Sequence, residues 1–424
     1  MKEWNLLSIL CFWLLGVLFV SAQPTRVCDP EIKSIRMMLD GVACDFPVIT
    51  LDGDKVIEVS FDDLRHDYRS FYYHIEHVSA NFEESEGIFV SDYVRTSDDK
   101  LPVLQYEQSM STTVLYNHYS FCFPNDELRP LLSGNYRLVV TVEDEDGNEV
   151  DAFETYFAVS EQTMPINAKA TTNTEIDHND KHQQLDIEVE TGAFSLHRPN
   201  EEVLIRVQQN GRWIDEVFAL PPTSQNGTKL LWQHSKSLIF PAGNEFRRFE
   251  QMSVRYPGMK VDRVAYNAPY YYAFLMNDGQ RRNYIYDEDQ NGAWVVRSEY
   301  EGNVDVEADY MYTVFTLDMP YLENVDIYID GVWTGHQLTP EYRMEYNHSK
   351  RQYEAILFLK QGYYSYQYLT IPKNSSEKNT SFTSVVEGDF FQTENRYDIY
   401  VYLRERGARY DRLVGWRRGN VNKK

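Results

Sequence analysis

Cysteine is scarce: four in 424 residues, with no C-x-x-C pair. That excludes a disulfide-dense scaffold and a cysteine-based zinc cluster. Long apolar runs are absent after the first twenty residues, so no later segment reads as a spanning helix. There is no HExxH, no G-x-S-x-G, no P-loop and no G-x-G-x-x-G, and the ten histidines are scattered. No catalytic constellation stands out, which argues against an enzyme and names no cofactor. Positive charge is also in deficit. Forty-one Lys and Arg face sixty-five Asp and Glu, for a formal charge of −24. A chain this acidic is repelled by phosphate backbones and anionic lipid, so nucleic acid and direct membrane insertion are excluded as partners.

The N-terminus has its own character. Lys2 precedes an apolar run from Leu6 to Val20, and Val20-Ser21-Ala22 forms a small-residue cleavage signature. Residues 1–22 read as a signal peptide, so the mature chain is exported. It would retain Cys28, Cys44 and Cys122, an odd number that leaves the disulfide state open.

Aromatic residues are abundant, with 32 Tyr, 22 Phe and 7 Trp. They suit half-buried pleated surfaces and lean the chain towards β structure. The pattern "NYRLVVTVEDEDGNEVDAFETYFAV" alternates, turns at Asp144–Asn148, and alternates again, which predicts a hairpin. In "SFYYHIEHV" Phe71, Tyr73 and Ile75 share one face. No amphipathic helix longer than two or three turns is evident. Strands at regular spacing with turn signals predict an all-β chain of tandem Ig-like or E-set-like sandwiches.

The polar stretch "TMPINAKATTNTEIDHNDKHQQ" reads as a connector between domains. The expected division is 23–162, 163–303, and 304–424 with a basic tail. From Arg404 to Lys424 there are eight Lys/Arg and two Asp/Glu. This reads as a solvated last strand and tail, or as a contact for an acidic partner through Arg404, Arg406, Arg409 and Arg412.

"YDEDQNGAW", residues 286–294, carries the opening D-x-D-x-N-G of a calcium loop, with Asp287, Asp289 and Asn291 as candidate ligands. The twelfth position is Ser298, and the glutamate that should close the loop, Glu299, comes one place late. The flanks "RRNYIY" and "AWVVRSEY" read as strands, so a hairpin turn is the competing reading. In the third stretch, "YIDGVWTG" followed by "YEAILFLKQGYYSYQYL" resembles the core of glycogen-binding E-set modules. That resemblance implies an alternative function, an exported carbohydrate-binding protein. Sugar stacking would need Trp333, Tyr363, Tyr364, Tyr366 and Tyr368 to face outward; they would serve equally as core.

An ordered set of motifs spans nearly the whole mature chain. It runs "VSFDDL" (59–64), "SGNYRLVVTVEDEDG" (133–147), "HQQLDIEV" (182–189), "VQQNGRW" (207–213) and "AGNEFRRFE" (242–250). It continues with "YDEDQNG" (286–292), "ADYMYTVFTL" (308–317), "LKQGYYSYQYL" (359–369) and "EGDFFQTENRYDIYVYLRERGARYDRLVG" (387–415). In this order the motifs resemble the plug protein family of the type IX secretion system. The resemblance implies a periplasmic protein of a gram-negative bacterium, monomeric on its own. It would bind the outer-membrane translocon β-barrel and close its periplasmic opening when no substrate passes. It implies gating by occlusion and supplies no catalytic residues.

Overall fold

The computed structural model describes residues 25–144, 146–373 and 383–420. The signal peptide and the last four residues lie outside them. Nearly all regular structure is β, and no helix among the described residues exceeds four residues. None is long and apolar enough to cross a membrane.

The first domain is a sandwich. One sheet runs in the order Thr25–Val27, Glu149–Ser160, Gly134–Glu143, Phe71–Val78, Leu101–Pro102, with Val48–Thr50 added parallel to Glu149–Ser160. The facing sheet is built on Ile32–Leu39, Ile57–Asp63 and Asn117–Phe123. The alternation seen in the sequence sets which side chains meet: Phe71, Tyr73 and Ile75 are buried, while Tyr72, His74 and Glu76 are not. Phe61 packs between Phe71, Tyr119 and Phe153 at ring separations of 5.0–5.3 Å. The expected hairpin forms, and its turn is held by Asp144, whose carboxylate accepts from the backbone of Asp146 and Asn148.

The second domain is not a continuous piece of chain. Its first sheet joins Ile166–Thr171, His182–Glu190, Lys229–Trp232 and Ser224–Asn226. Its second sheet joins Val217–Phe218 and Val203–Gln209 to Arg396–Leu403 and Arg412–Asn420. The C-terminal hairpin therefore completes a core that begins more than two hundred residues earlier. Met164, Ile187, Ile205 and Trp232 pack with Ile399, Val401 and Val414. The third domain is inserted between the two halves. Its sheets are Arg247–Gln251, Gly362–Pro372, Trp294–Val296 and Val325–Asp330 on one side, and Val261–Asn267, Tyr270–Leu275, Tyr310–Asp318, Gln352–Lys360 and Glu345–Asn347 on the other.

These pairings depart from the linear division at residues 303/304: Trp294–Val296 pairs with Gly362–Pro372, and Val203–Gln209 pairs with Arg396–Leu403. The physical reason is that two-residue periodicity records which face of a strand is buried, not which strand lies beside it. The polar connector also differs from expectation. Ile166–Thr171 is an edge strand whose Ile166, Ala168 and Ala170 lean on the second core while its other face is solvated.

Two buried tyrosines tie sandwich corners by the same device. Tyr136 Oη donates to Leu132 O at 2.8 Å, and Tyr364 Oη donates to Lys360 O at 2.6 Å, each reaching four residues back. Tyrosine corners of this kind are a hallmark of Ig-like sandwiches. The second sits within "LKQGYYSYQYL", where the chain changes sheets. At Gln361 the chain leaves one sheet and enters the other, and a Cβ at Gly362 would strike Val295 O.

Candidate functional site

The polar chemistry of the molecule is concentrated where the domains meet. Between the first and third domains, Asp62 is fully buried and receives three donors: Lys360 Nζ at 2.6 Å, Tyr310 Oη at 2.7 Å and His118 Nδ1 at 2.6 Å. Burial alone would raise the Asp62 carboxyl. Lys360 and His118 outweigh it, and the net shift is downward. Lys360 is itself lowered by burial. Its ammonium also donates to Asp305 O and lies 4.2 Å from the Tyr116 ring. Beside it, the Asp309 carboxylate accepts from the backbone of Thr113 and Val114 of the first domain at 2.7 and 3.0 Å. Three donors converging on one buried carboxylate form a clamp rather than a loose contact.

Between the first and second domains the seam is mostly apolar. Phe46, Val78, Ala80, Phe82 and Tyr156 pack with Trp213, Tyr400, Tyr402 and Leu413 in one cluster. Arg206 is enclosed within it. Its guanidinium lies 4.7 Å from the Phe82 ring and 4.5 Å from the Phe218 ring, donates to Ala80 O, and pairs with Glu216. Arg396 pairs with Asp45 of the first domain at 2.5 Å. A side chain at Gly211, where φ is +76°, would collide with that same Asp45 carboxylate and with Arg396. Within the third domain, Arg247 binds Glu387 at 3.0 Å and Asp278 at 2.7 Å, with Arg247 and Glu387 buried and Asp278 nearly so.

The loop 286–294 is built differently from either sequence reading. "RRNYIY" forms no strand; only Trp294–Val296 does, so this is not a simple hairpin turn. The segment is fastened to residues 244–246 by side chains. Ile285 N donates to Asn244 Oδ1, Tyr284 Oη donates to Glu245, and Phe246 N donates to Asp289. Asp289 Oδ1 also accepts from Asn291 N at 2.7 Å, and Asp287 is paired with Arg248 at 2.5 Å. An arginine on one proposed ligand and two backbone donors on another leave a set that does not fit calcium, which needs free carboxylate oxygens converging on one point. Among the described residues no group of three His, Cys, Asp or Glu is placed to hold a metal ion. Burial pushes the Asp289 carboxyl up to about 7, with Glu245 adding to the effect.

The four candidate arginines are spread along the C-terminal hairpin. Arg412 pairs with Glu161 at 2.7 Å and with Glu405, Arg409 pairs with Asp92 at 3.3 Å, and Arg404 lies 3.7 Å from Asp411. Arg406 is exposed in the turn. Three of the four thus serve contacts within the chain. Cys28, Cys44 and Cys122 are free thiols. The aromatic residues of the carbohydrate-binding alternative are core: Tyr364, Tyr366 and Tyr368 are buried, and Trp333 donates its indole N–H to Ser365 O while packing on Tyr364.

Residues 32–161 match the family model described as "Type 9 secretion system plug protein 1st domain". A crystal structure of a hypothetical protein from Parabacteroides merdae superposes with a TM-score of 0.89 at 34% identity, covering 94% of this chain and 99% of that one. The chain belongs to the type 9 secretion system plug family. A comparison with curated proteins finds no match. The motifs by which the plug family is legible here are the residues of the clamps. Asp62 lies in "VSFDDL", Trp213 in "VQQNGRW", Arg247 in "AGNEFRRFE", Lys360 in "LKQG" and Glu387 in "EGDFF". The motifs are recognisable in sequence, but their roles were not, because each acts on a residue at least thirty and up to about three hundred positions away.

Proposed function

We propose that the protein is a periplasmic plug of the type 9 secretion system, one that binds the outer-membrane translocon barrel and occludes its periplasmic opening in the absence of substrate. The observation that carries this reading is the match of residues 32–161 to the first domain of such plugs. The architecture supports it. A plug has to keep its shape against a wide opening, and here three sandwiches are joined through buried ion pairs and an apolar seam. The role asks for surface and stiffness, not for bond chemistry. Reversible occlusion also calls for an interface of moderate size with a few strong anchors.

The test is affinity purification of the tagged mature protein from native outer membranes, with mass spectrometry of what accompanies it. Recovery of one very large barrel supports the plug. Its absence, in membranes that contain the barrel, would sink the reading. Loss of the protein should in turn leave the idle barrel permeable to small solutes.

A further inference from the structure

The longer sheet of the third domain has two apolar faces, and only one is core. Strands Tyr270–Leu275, Tyr310–Asp318 and Gln352–Lys360 lie side by side with Tyr310–Asp318 in the middle. Inward-facing Ala273, Met311, Phe315 and Leu357 fill the core. The opposite face carries three rows across the strands. In the first, Tyr310 stands beside Lys360; in the second, Tyr272, Tyr312 and Phe358; in the third, Phe274, Val314 and Ile356.

The first domain covers the first row, through Asp62 and Ser34. The second and third rows run out from under it. Ile356 is 57% exposed and the others are half-buried. The rings form one surface from the covered row to the open ones, with Tyr310–Phe358 at 5.3 Å, Phe358–Tyr312 at 4.8 Å and Tyr312–Tyr272 at 5.1 Å. At the far edge the Arg263 guanidinium lies 3.5 Å over the Phe274 ring, and no carboxylate pairs with it among the described residues. A sheet face open to water normally shows polar side chains. Contiguous apolar surface of this kind marks an interaction site, and aromatic residues with arginine are its usual anchors.

We propose that this face is a docking surface for a partner protein presenting apolar side chains with a carboxylate opposite Arg263. That partner extends the interface which the first domain already makes on the same sheet. The inference rests on the plug reading, with the partner being the periplasmic side of the barrel. Continuity with the interdomain contact selects a protein surface as the occupant, and the unpaired Arg263 in a chain of charge −24 selects an acidic rim.

The experiment uses the tagged full chain in native cells, with barrel recovery measured for wild type, Ile356→Glu, Arg263→Glu, and Leu104→Glu as a control at an exposed site on the first domain. Arg263 is exposed and outside the core, so its variant reports binding even if Ile356→Glu melts early. Wild type and Leu104→Glu should retain the barrel. Ile356→Glu should lose it at least tenfold and Arg263→Glu several-fold. Recovery of both variants at the wild-type level overturns the docking surface and leaves the plug reading standing. Failure of wild type itself overturns the plug reading first. Sedimentation showing a wild-type dimer that Ile356→Glu abolishes makes a second copy the occupant and also overturns the proposal.

Discussion

Lys360 Nζ lies 2.6 Å from Asp62 Oδ2, with both side chains closed to solvent and each on a different domain. Removing one partner strands the other charge, which is costlier than the net worth of the pair. Lys360→Met should lower unfolding free energy by roughly 3–5 kcal/mol, and adding Asp62→Asn should recover part of it. Urea titration of the three proteins checks this. A cost below about 1 kcal/mol for the single variant would show that the pair does not hold the domains together.

Arg206 makes a different demand, because its plane is used as well as its charge. It lies against Phe82 and Phe218 while donating to Ala80 O. Arg206→Lys keeps the charge and loses the stacked fork, so it should cost on the order of 2 kcal/mol, with Arg206→Ala costing more. Equal stability of the lysine variant and wild type by thermal melting would contradict this.

The C-terminal hairpin is expected to be required by residues that precede it by two hundred positions. A chain ending at residue 394 lacks Arg396–Leu403 and Arg412–Asn420, half of the second sheet of the second domain. Limited proteolysis should then attack residues 163–241 quickly, while residues 25–161 persist longer as a fragment with its own core. Undiminished protection of 163–241 would mean that the second domain stands without the hairpin.

Asp289 predicts a pH dependence of known sign. Its folded carboxyl is raised to about 7 by burial, whereas an unfolded aspartate titrates near ~3.9. Between those values the folded state holds a proton that the unfolded state has lost, so this term makes stability fall as pH rises from about 4 to about 7. Glu245 is also raised by burial and acts in the same direction. Asp289 remains partly exposed, which limits the term to the order of 2 kcal/mol. Asp289→Asn should gain on wild type across that window. A difference independent of pH would be evidence against it.

Calcium should not stabilise the protein. Arg248 occupies Asp287, and backbone N–H groups occupy Asp289. The melting temperature should be the same in calcium and in chelator. An upward shift that disappears in the double variant Asp287→Ala, Asp289→Ala would restore the metal reading.

Much of the fold was legible locally. Phe71-Tyr72-Tyr73-His74-Ile75 declared its buried face by alternation, and Asp144 with Gly147 declared a turn. Other stretches read differently from how they fold, because their partners are distant. The alternating "RRNYIY" is a loop held by Asn244 and Glu245, and the polar "INAKAT" is an edge strand whose small apolar residues suffice on one face. Candidate ligands Asp287 and Asp289 were chosen for spacing. Their use was decided by Arg248 and Phe246 N, some forty residues away.

By itself the sequence determined the β class, the faces of most strands and, through its ordered motifs, the plug family. Each of these is written within short windows: a period of two, a turn pair, a run of identities. Only the tertiary structure decided that the last hairpin belongs to the second domain, that the family motifs meet as interdomain clamps, and that one face of the third domain emerges apolar from beneath the first. Those outcomes depend on which strands and charges come together across hundreds of residues. Chain entropy and burial settle that for the whole molecule at once, and no local period encodes it.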